Sequence, residues 1–424
     1  MSLLVADAGC LITMAGHGPL RGAGMNAPEV MAGGSVLCDG DRFVAPGTTR
    51  PEVEFDASGC TVVPGFVDPH THIPFYGWRA DEDSARLSGV RYETLHQEEG
   101  GIFRSRRLLA EASDEDVLSF GQRLTEEMLR SGTTTFEMKS GYGLSVDAEL
   151  RQLRLAAGLA DLIPQKVVST CLAAHAVPDG KTQGGWVGEV SDILLPQVVA
   201  EGLASACDIY IETIAFALEH AARLSTAAQD MGLTMRVHAD QLADNQTASF
   251  ATRWGFRSAD HLNHTSREGV GDLAGSDTAA VLLPGATFTL RQSKKPPVED
   301  LVKSGAIVAL GSDLNPGTSP IHSMPFVIAL ACRLYGMRPL EALAAATVNS
   351  AWVLGLDDEV GRIQDGHRAD LVVLDMPSPD HLAYRPDHDH VLAVACAGEL
   401  VYVAEGAERR VTSSKSRPGV LEGR

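Results

Sequence analysis

Between residues 61 and 311, short apolar runs alternate with stretches of helical periodicity, and this alternation constrains the chain more than any other feature. The strand-like runs cover 61–67, 133–138, 166–172, 207–211, 233–237, 257–261, 286–290 and 306–311. Helical spacing occupies 114–131, 145–160, 215–231 and 243–254. Eight strands alternating with helices is the count for a closed α/β barrel of the (β/α)8 TIM type. Both ends of the chain have a different texture. Glycines and an Asp39-Gly40 turn break the first 60 residues into short β-like pieces, and similar pieces return at 369–374, 390–395 and 400–403. The expected organisation is a barrel on 63–359 and a small composite β-sandwich on 1–62 and 360–424.

Composition narrows the partners. Of 424 residues 44% are hydrophobic, enough for a large core, while 35 basic against 55 acidic side chains leave a net charge of −20. That charge opposes sequence-independent binding to nucleic acid or to an anionic membrane. No apolar run approaches the ~18 residues of a membrane span, and the N-terminus lacks the basic start of a signal peptide. Seven scattered cysteines without a CxxC spacing point to a reducing, cytoplasmic setting and away from a thiolate zinc site.

Reactive groups of such barrels sit where the strands end. The first strand runs into Asp68-Pro-His70-Thr-His72. Residues i and i+2 of an extended chain share a face, so both imidazoles reach one metal ion. His238 closes the fifth strand, His261 the sixth and Asp313 the eighth. Imidazoles and a carboxylate together suit zinc or a similar divalent ion.

The run Val63-Pro-Gly-Phe-Val-Asp-Pro-His-Thr-His72, with His238, His261 and Asp313, resembles the amidohydrolase superfamily, metal-bearing barrels with a small β-sandwich. Further segments are similar to one of its families, the imidazolonepropionases of histidine degradation. They are Arg79-Ala-Asp-Glu82, Lys139-Ser-Gly-Tyr-Gly143, Ala174-His175-Ala, His238-Ala-Asp240, Ser258-Ala-Asp-His261, Lys295-Pro-Pro297 and Asp313-Leu-Asn-Pro-Gly-Thr-Ser319. This resemblance covers residues 62–354 and, more weakly, 361–374.

Two-metal relatives bridge their ions with a carboxylated lysine on strand four, and residues 207–212 contain none. The resemblance therefore implies one divalent ion, zinc or iron, on His70, His72, His238 and Asp313, with Glu212 open as an extra ligand. It also implies Asp313 as proton acceptor and His261 as the group that orients the nucleophile or polarises the carbonyl. Arg79 is the expected partner of a substrate carboxylate. Tyr142 and His175 are expected against the ring, and Asn315, Gly317 and Thr318 around the product. Deaminases of the superfamily have glutamate where this chain has Gln241. A glutamine cannot shuttle a proton but can hydrogen-bond a ring amide, which favours ring opening over deamination.

The implied reaction is 4-imidazolone-5-propanoate plus water giving N-formimino-L-glutamate, on a small anionic cyclic amide, by a homodimer. Two segments depart from the family pattern: Tyr76-Gly-Trp78 before Arg79, and Glu99-Gly-Gly-Ile102 leading into the basic run that ends at Arg107. They keep open another carboxylated cyclic amide as substrate, or a nucleobase-type deaminase with a single metal. Asp81-Glu-Asp83, Glu98-Glu99 and His388-Asp-His390 read as solvated surface groups.

Overall fold

A computed structural model describes residues 1–45, 47–90 and 100–413. Its centre is an eight-stranded parallel sheet in sequential order: β1 (Phe66–Asp68), β2 (Thr133–Lys139), β3 (Lys166–Ala174), β4 (Ala206–Tyr210), β5 (Thr234–Ala239), β6 (Ser258–His261), β7 (Ala279–Leu282) and β8 (Val308–Leu310). Every residue of β2, β4, β6 and β7 is buried, as a sheet covered on both faces requires. The ring closes just beyond the strands. Asp313 N donates to His70 O at 2.9 Å, His72 N donates to Leu314 O at 2.9 Å, and Thr71 bridges Leu314. Closure of the barrel and assembly of the predicted site are thus made by the same residues.

Local chemistry sets the helices. Ser113 accepts from Asp116 N and caps Asp114–Arg130, whose first turn carries three acids and whose buried side includes Val117, Leu124 and Met128. Ser145 caps Val146–Ala160 in the same way. One strand differs from the sequence reading. Residues 286–289 lie in a helix, Pro284–Thr289, that Leu290 closes, and β7 is the preceding Ala279–Leu282. Thr287, Phe288 and Thr289 look strand-like, but Pro284 at the first helical position has its φ preset and no N–H to leave unpaired.

Thr61–Pro64 also leaves the barrel. It pairs with Cys10–Ile12 and with Leu371–Leu374 in a six-stranded sheet, and the chain enters β1 only after Gly65. A Cβ on Gly65 would overlap the Thr134 side chain, so the crossover depends on glycine. In a second, five-stranded sheet, Ser2–Ala6 pairs with Val53–Asp56, which also receives Val411–Ser413 near the end of the described chain. Leu3, Val5, Phe55 and Val62 share an apolar cluster with Leu371 and Val373 from the other end of the sequence. The cysteines are all free, and all but the half-buried Cys332 are buried. Among the described residues no helix is long and apolar enough to cross a membrane.

Candidate active site

At the carboxyl ends of the strands a narrow cleft is lined by groups from around the barrel, including His72, Arg79, Tyr142, His175, His238, His261 and Asp313. One wall gathers imidazoles. Ring centroids of His70 and His238 lie 4.6 Å apart, those of His72 and His238 5.4 Å, and those of His238 and His261 5.4 Å. His70, His72 and Asp313 offer ligand atoms that all lie within 4.8 Å of one another, as do His70, His238 and His261. His70 belongs to both groups. Glu212 belongs to neither: its carboxylate accepts from Leu242 N at 2.8 Å and from Asn245 Nδ2 at 2.9 Å, tying the loop after β4 to the loop after β5.

The outer nitrogens of two of these rings are occupied. His70 Nδ1 shares a proton with Asp260 Oδ2 at 2.6 Å, and His238 Nδ1 lies 3.2 Å from Asp208 Oδ1. Their Nε2 atoms, and Asp313 Oδ2, are buried without a hydrogen-bond partner among the described residues. His70 Nε2 and His72 Nε2 face Asp313 Oδ1 at 3.5 and 3.2 Å. Burial holds His70, His72 and His175 well below the ordinary imidazole range and pushes His261 down to about 3. Burial also raises Asp313. Neutral imidazoles and a carboxylate that turn lone pairs toward one another, dry and unpartnered, form a donor set that fits a divalent cation. His261 and Asp313 hold φ of 78° and 56°; left-handed backbone at non-glycine residues is costly and collects at functional sites.

Beneath this wall lies a buried ion network that the sequence reading did not include. Arg236 Nη1 reaches Glu137 Oε1 at 2.6 Å, and Lys139 Nζ lies 2.8 Å from Glu137 and 2.7 Å from Asp208. Asp208 is held well below the carboxylate range: burial works against this, but His238 and Lys139 outweigh it. Asp260 and Asp208, the carboxylates that orient His70 and His238, were missed as well. Both occur inside strands, at Ser258-Ala-Asp260 and Ala206-Cys-Asp208, and a charged residue within an otherwise apolar buried strand was the available signal.

The opposite wall is built on loops. Arg79 is buried; its Nη1 lies 3.5 Å from Glu82, and Nε and Nη1 lack a hydrogen-bond acceptor among the described residues. Gly317 makes room for it, since a Cβ there would overlap the guanidinium. Glu82 is therefore not the solvated charge expected from its sequence. It lies in the first turn of a helix, Ala80–Leu87, and accepts from Gly101 N at 3.3 Å.

The loop after β2 is fastened by side chains. Glu149 accepts from Gly141 N, Gly143 N and Leu144 N at 2.8–3.0 Å, and Gln152 accepts from Tyr142 N at 3.0 Å. Gly141 O in turn takes the Nδ1 proton of His175 at 3.1 Å, whose ring stacks on His72 at 5.1 Å. Tyr210, also missed, donates to Gln241 Oε1 at 3.0 Å, so the Gln241 amide nitrogen is left for a ligand.

After β8, Asn315 and Thr318 line the cleft, but the Asn315 side chain is engaged with Asp313 O, Gly317 N and Thr318. These residues frame the loop that seats Arg79. Among the described residues of the two departing segments, only Ile102 lines the cleft. Tyr76 and Trp78 pack against Phe120, while Arg104 and Arg106 pair with Asp81 and Asp179. Glu98 and Glu99 lie outside the described residues. His388 and His390 are remote from the cleft, and His390 is buried with Nε2 on Arg385 O rather than solvated.

Residues 61–401 match the amidohydrolase family. An imidazolonepropionase from Symbiobacterium thermophilum is 40% identical over 423 residues, covering 97% of this chain and 99% of the relative. Another, from Rubrobacter xylanophilus, is 41% identical over 412 residues, with 94% and 98% covered. Among solved structures, guanine deaminase from E. coli superposes with a TM-score of 0.69 at 16% identity, covering 95% of this chain and 99% of that one. An adenosine deaminase from Xanthomonas campestris, solved with bound zinc, gives 0.67 at 18% identity, with 95% and 93% covered. At such identities the solved structures speak for the fold alone.

Proposed function

The chain belongs to the amidohydrolase family, among the imidazolonepropionases, and on that premise we infer its reaction. It opens the ring of 4-imidazolone-5-propanoate with water to give N-formimino-L-glutamate, a step of histidine degradation. One observation supports this reading above the others: unpartnered buried ligand atoms on one wall of the cleft face a buried, unsaturated guanidinium on the other. An anionic ring amide needs both.

His70, His72, His238 and Asp313 would hold one divalent ion, zinc or iron. Such an ion, when bound, polarises oxygen and brings the pKa of water from about 15.7 to near 7. Asp313, made more basic by burial, takes the proton of the attacking water. Neutral His261 orients that water or polarises the ring carbonyl. As the C–N bond breaks, the proton on Asp313 passes to the departing ring nitrogen, which balances the hydrolysis. Arg79 binds the propionate through its fork, Tyr142 and His175 flank the ring, and the Gln241 amide N–H donates to it. A homodimer in the cytoplasm completes the reading, tested by sedimentation and cell fractionation.

The direct assay follows loss of the ultraviolet absorbance of imidazolonepropionate beside a panel of other cyclic amides. Turnover of the first above the rest is expected. Robust turnover of another amide with none of the first would overturn the substrate, and ammonia release without ring opening would favour the deaminase.

A further inference from the structure

The deepest part of the barrel holds a lysine that the proposed reaction does not use. Lys139 ends β2, is fully buried, and stands between Glu137 and Asp208 at 2.8 and 2.7 Å. On the next strand but one, Asp208 reaches His238 Nδ1 at 3.2 Å. At the other end of the row, Arg236 binds Glu137 at 2.6 Å and donates to Pro69 O at 3.0 Å, immediately before His70. Two cations and two anions therefore alternate beneath the imidazoles.

We propose that Lys139 is a positioning residue for the metal centre: through Asp208 its ammonium fixes the His238 imidazole with the proton on Nδ1 and Nε2 bare. An ammonium group has donors only, so Asp208 Oδ2 accepts from it at 2.7 Å, and that buried cation at its side keeps the group a carboxylate. A carboxylate has no proton to give, so the proton shared with His238 sits on the imidazole. The lone pair of the ring is then at Nε2, the atom buried without a partner among the described residues.

The same geometry decides what Lys139 is not. A carbamate on its nitrogen would place a third anion against Glu137 and Asp208, so it does not serve as the carboxylated bridge of two-metal relatives. Outer partners that orient ligating histidines typically change metal affinity about 10–100-fold when removed. The inference rests on the metal reading proposed above.

The test compares the full-length chain with Lys139→Met, which keeps the length and removes the charge. Zinc affinity is measured by chelator competition, and the ligand geometry by the visible spectrum of cobalt(II)-loaded protein. The variant is expected to bind zinc about 10–100-fold more weakly, with an altered cobalt spectrum and a lower kcat at nearly constant KM. A folded variant with unchanged zinc affinity and cobalt spectrum overturns the role of Lys139. Unmutated protein that binds no divalent ion overturns the metal reading instead, so the two failures are distinct.

If Lys139→Met does not fold, 15N NMR of histidine-labelled wild-type protein decides, with His238 assigned by a His238→Gln variant. A proton on Nδ1 supports the inference, and one on Nε2 overturns it. Labelled bicarbonate should leave no carbamate signal on Lys139; its appearance also overturns the proposal.

Discussion

The two walls of the cleft are held by different physics. On the histidine wall, His238, His261 and the supporting Asp208 and Asp260 belong to strands, and an ion network with no exposed member backs them. On the loop-built wall, Arg79, Tyr142 and Asn315 lie on loops whose backbone amides are fastened by Glu149, Gln152 and Asn315 itself. Strand ends move little, and a buried charged network is destabilised strongly when one member is lost. A loop tied by a few hydrogen bonds can shift as a unit. The first wall is thus suited to fix one reacting geometry, and the second to admit and clamp a ligand. Changes on the first should appear in kcat and metal content; those on the second should appear in KM.

The largest effect is expected from Asp313→Asn, which keeps the shape and removes both base and ligand charge. kcat should fall by about 10³-fold or more, with reduced metal content by elemental analysis. A variant retaining a tenth of the activity would remove Asp313 from the centre of the mechanism. Next comes Arg79→Met. Loss of a buried charge partner costs about 2–5 kcal/mol, so KM should rise roughly 100-fold while bound metal is unchanged. An unaltered KM for the propionate, measured by the ultraviolet assay, would mean the carboxylate binds elsewhere.

Glu149→Gln probes the loop clamp at one remove. The amide oxygen can keep Gly143 N–H and Leu144 N–H, which share one carboxylate oxygen, while Gly141 N–H loses its acceptor, so about 1–3 kcal/mol of hydrogen bonding is lost. KM should rise about 10-fold with kcat held within a factor of two; equal falls in kcat and metal content would erase the distinction between the walls. The smallest effect belongs to Arg106→Ala. Its partner Asp179 is exposed, and neither residue lines the cleft. Exposed pairs contribute about 0–1 kcal/mol, so steady-state constants should stay within about twofold.

The two walls were not equally legible in the sequence. His70, His72, His238, His261 and Asp313 announce themselves as metal-binding types at predicted strand ends, and the barrel itself follows from the alternation of periods. Lys139 was quoted only as the start of a loop motif, because nothing local shows that β2 and β4 bring it against Asp208. That contact joins residues 69 apart in sequence, on strands with one other strand between them. Glu149 was hidden for a related reason: on a helix face an acid reads as solvent-exposed until the preceding loop is seen folded over it. The seventh strand was misplaced because β-branched and aromatic residues outvoted a proline that starts a helix. Long-range contacts decided the first two of these, and local proline chemistry the third.

Metal stoichiometry of the purified full-length chain, by elemental analysis after chelation and titration back with zinc, tests the convergence of the first wall most directly. One equivalent per chain, lost in His70→Ala and in His238→Ala, is the expected result. No tight uptake, two equivalents, or a single equivalent that survives both substitutions would contradict it.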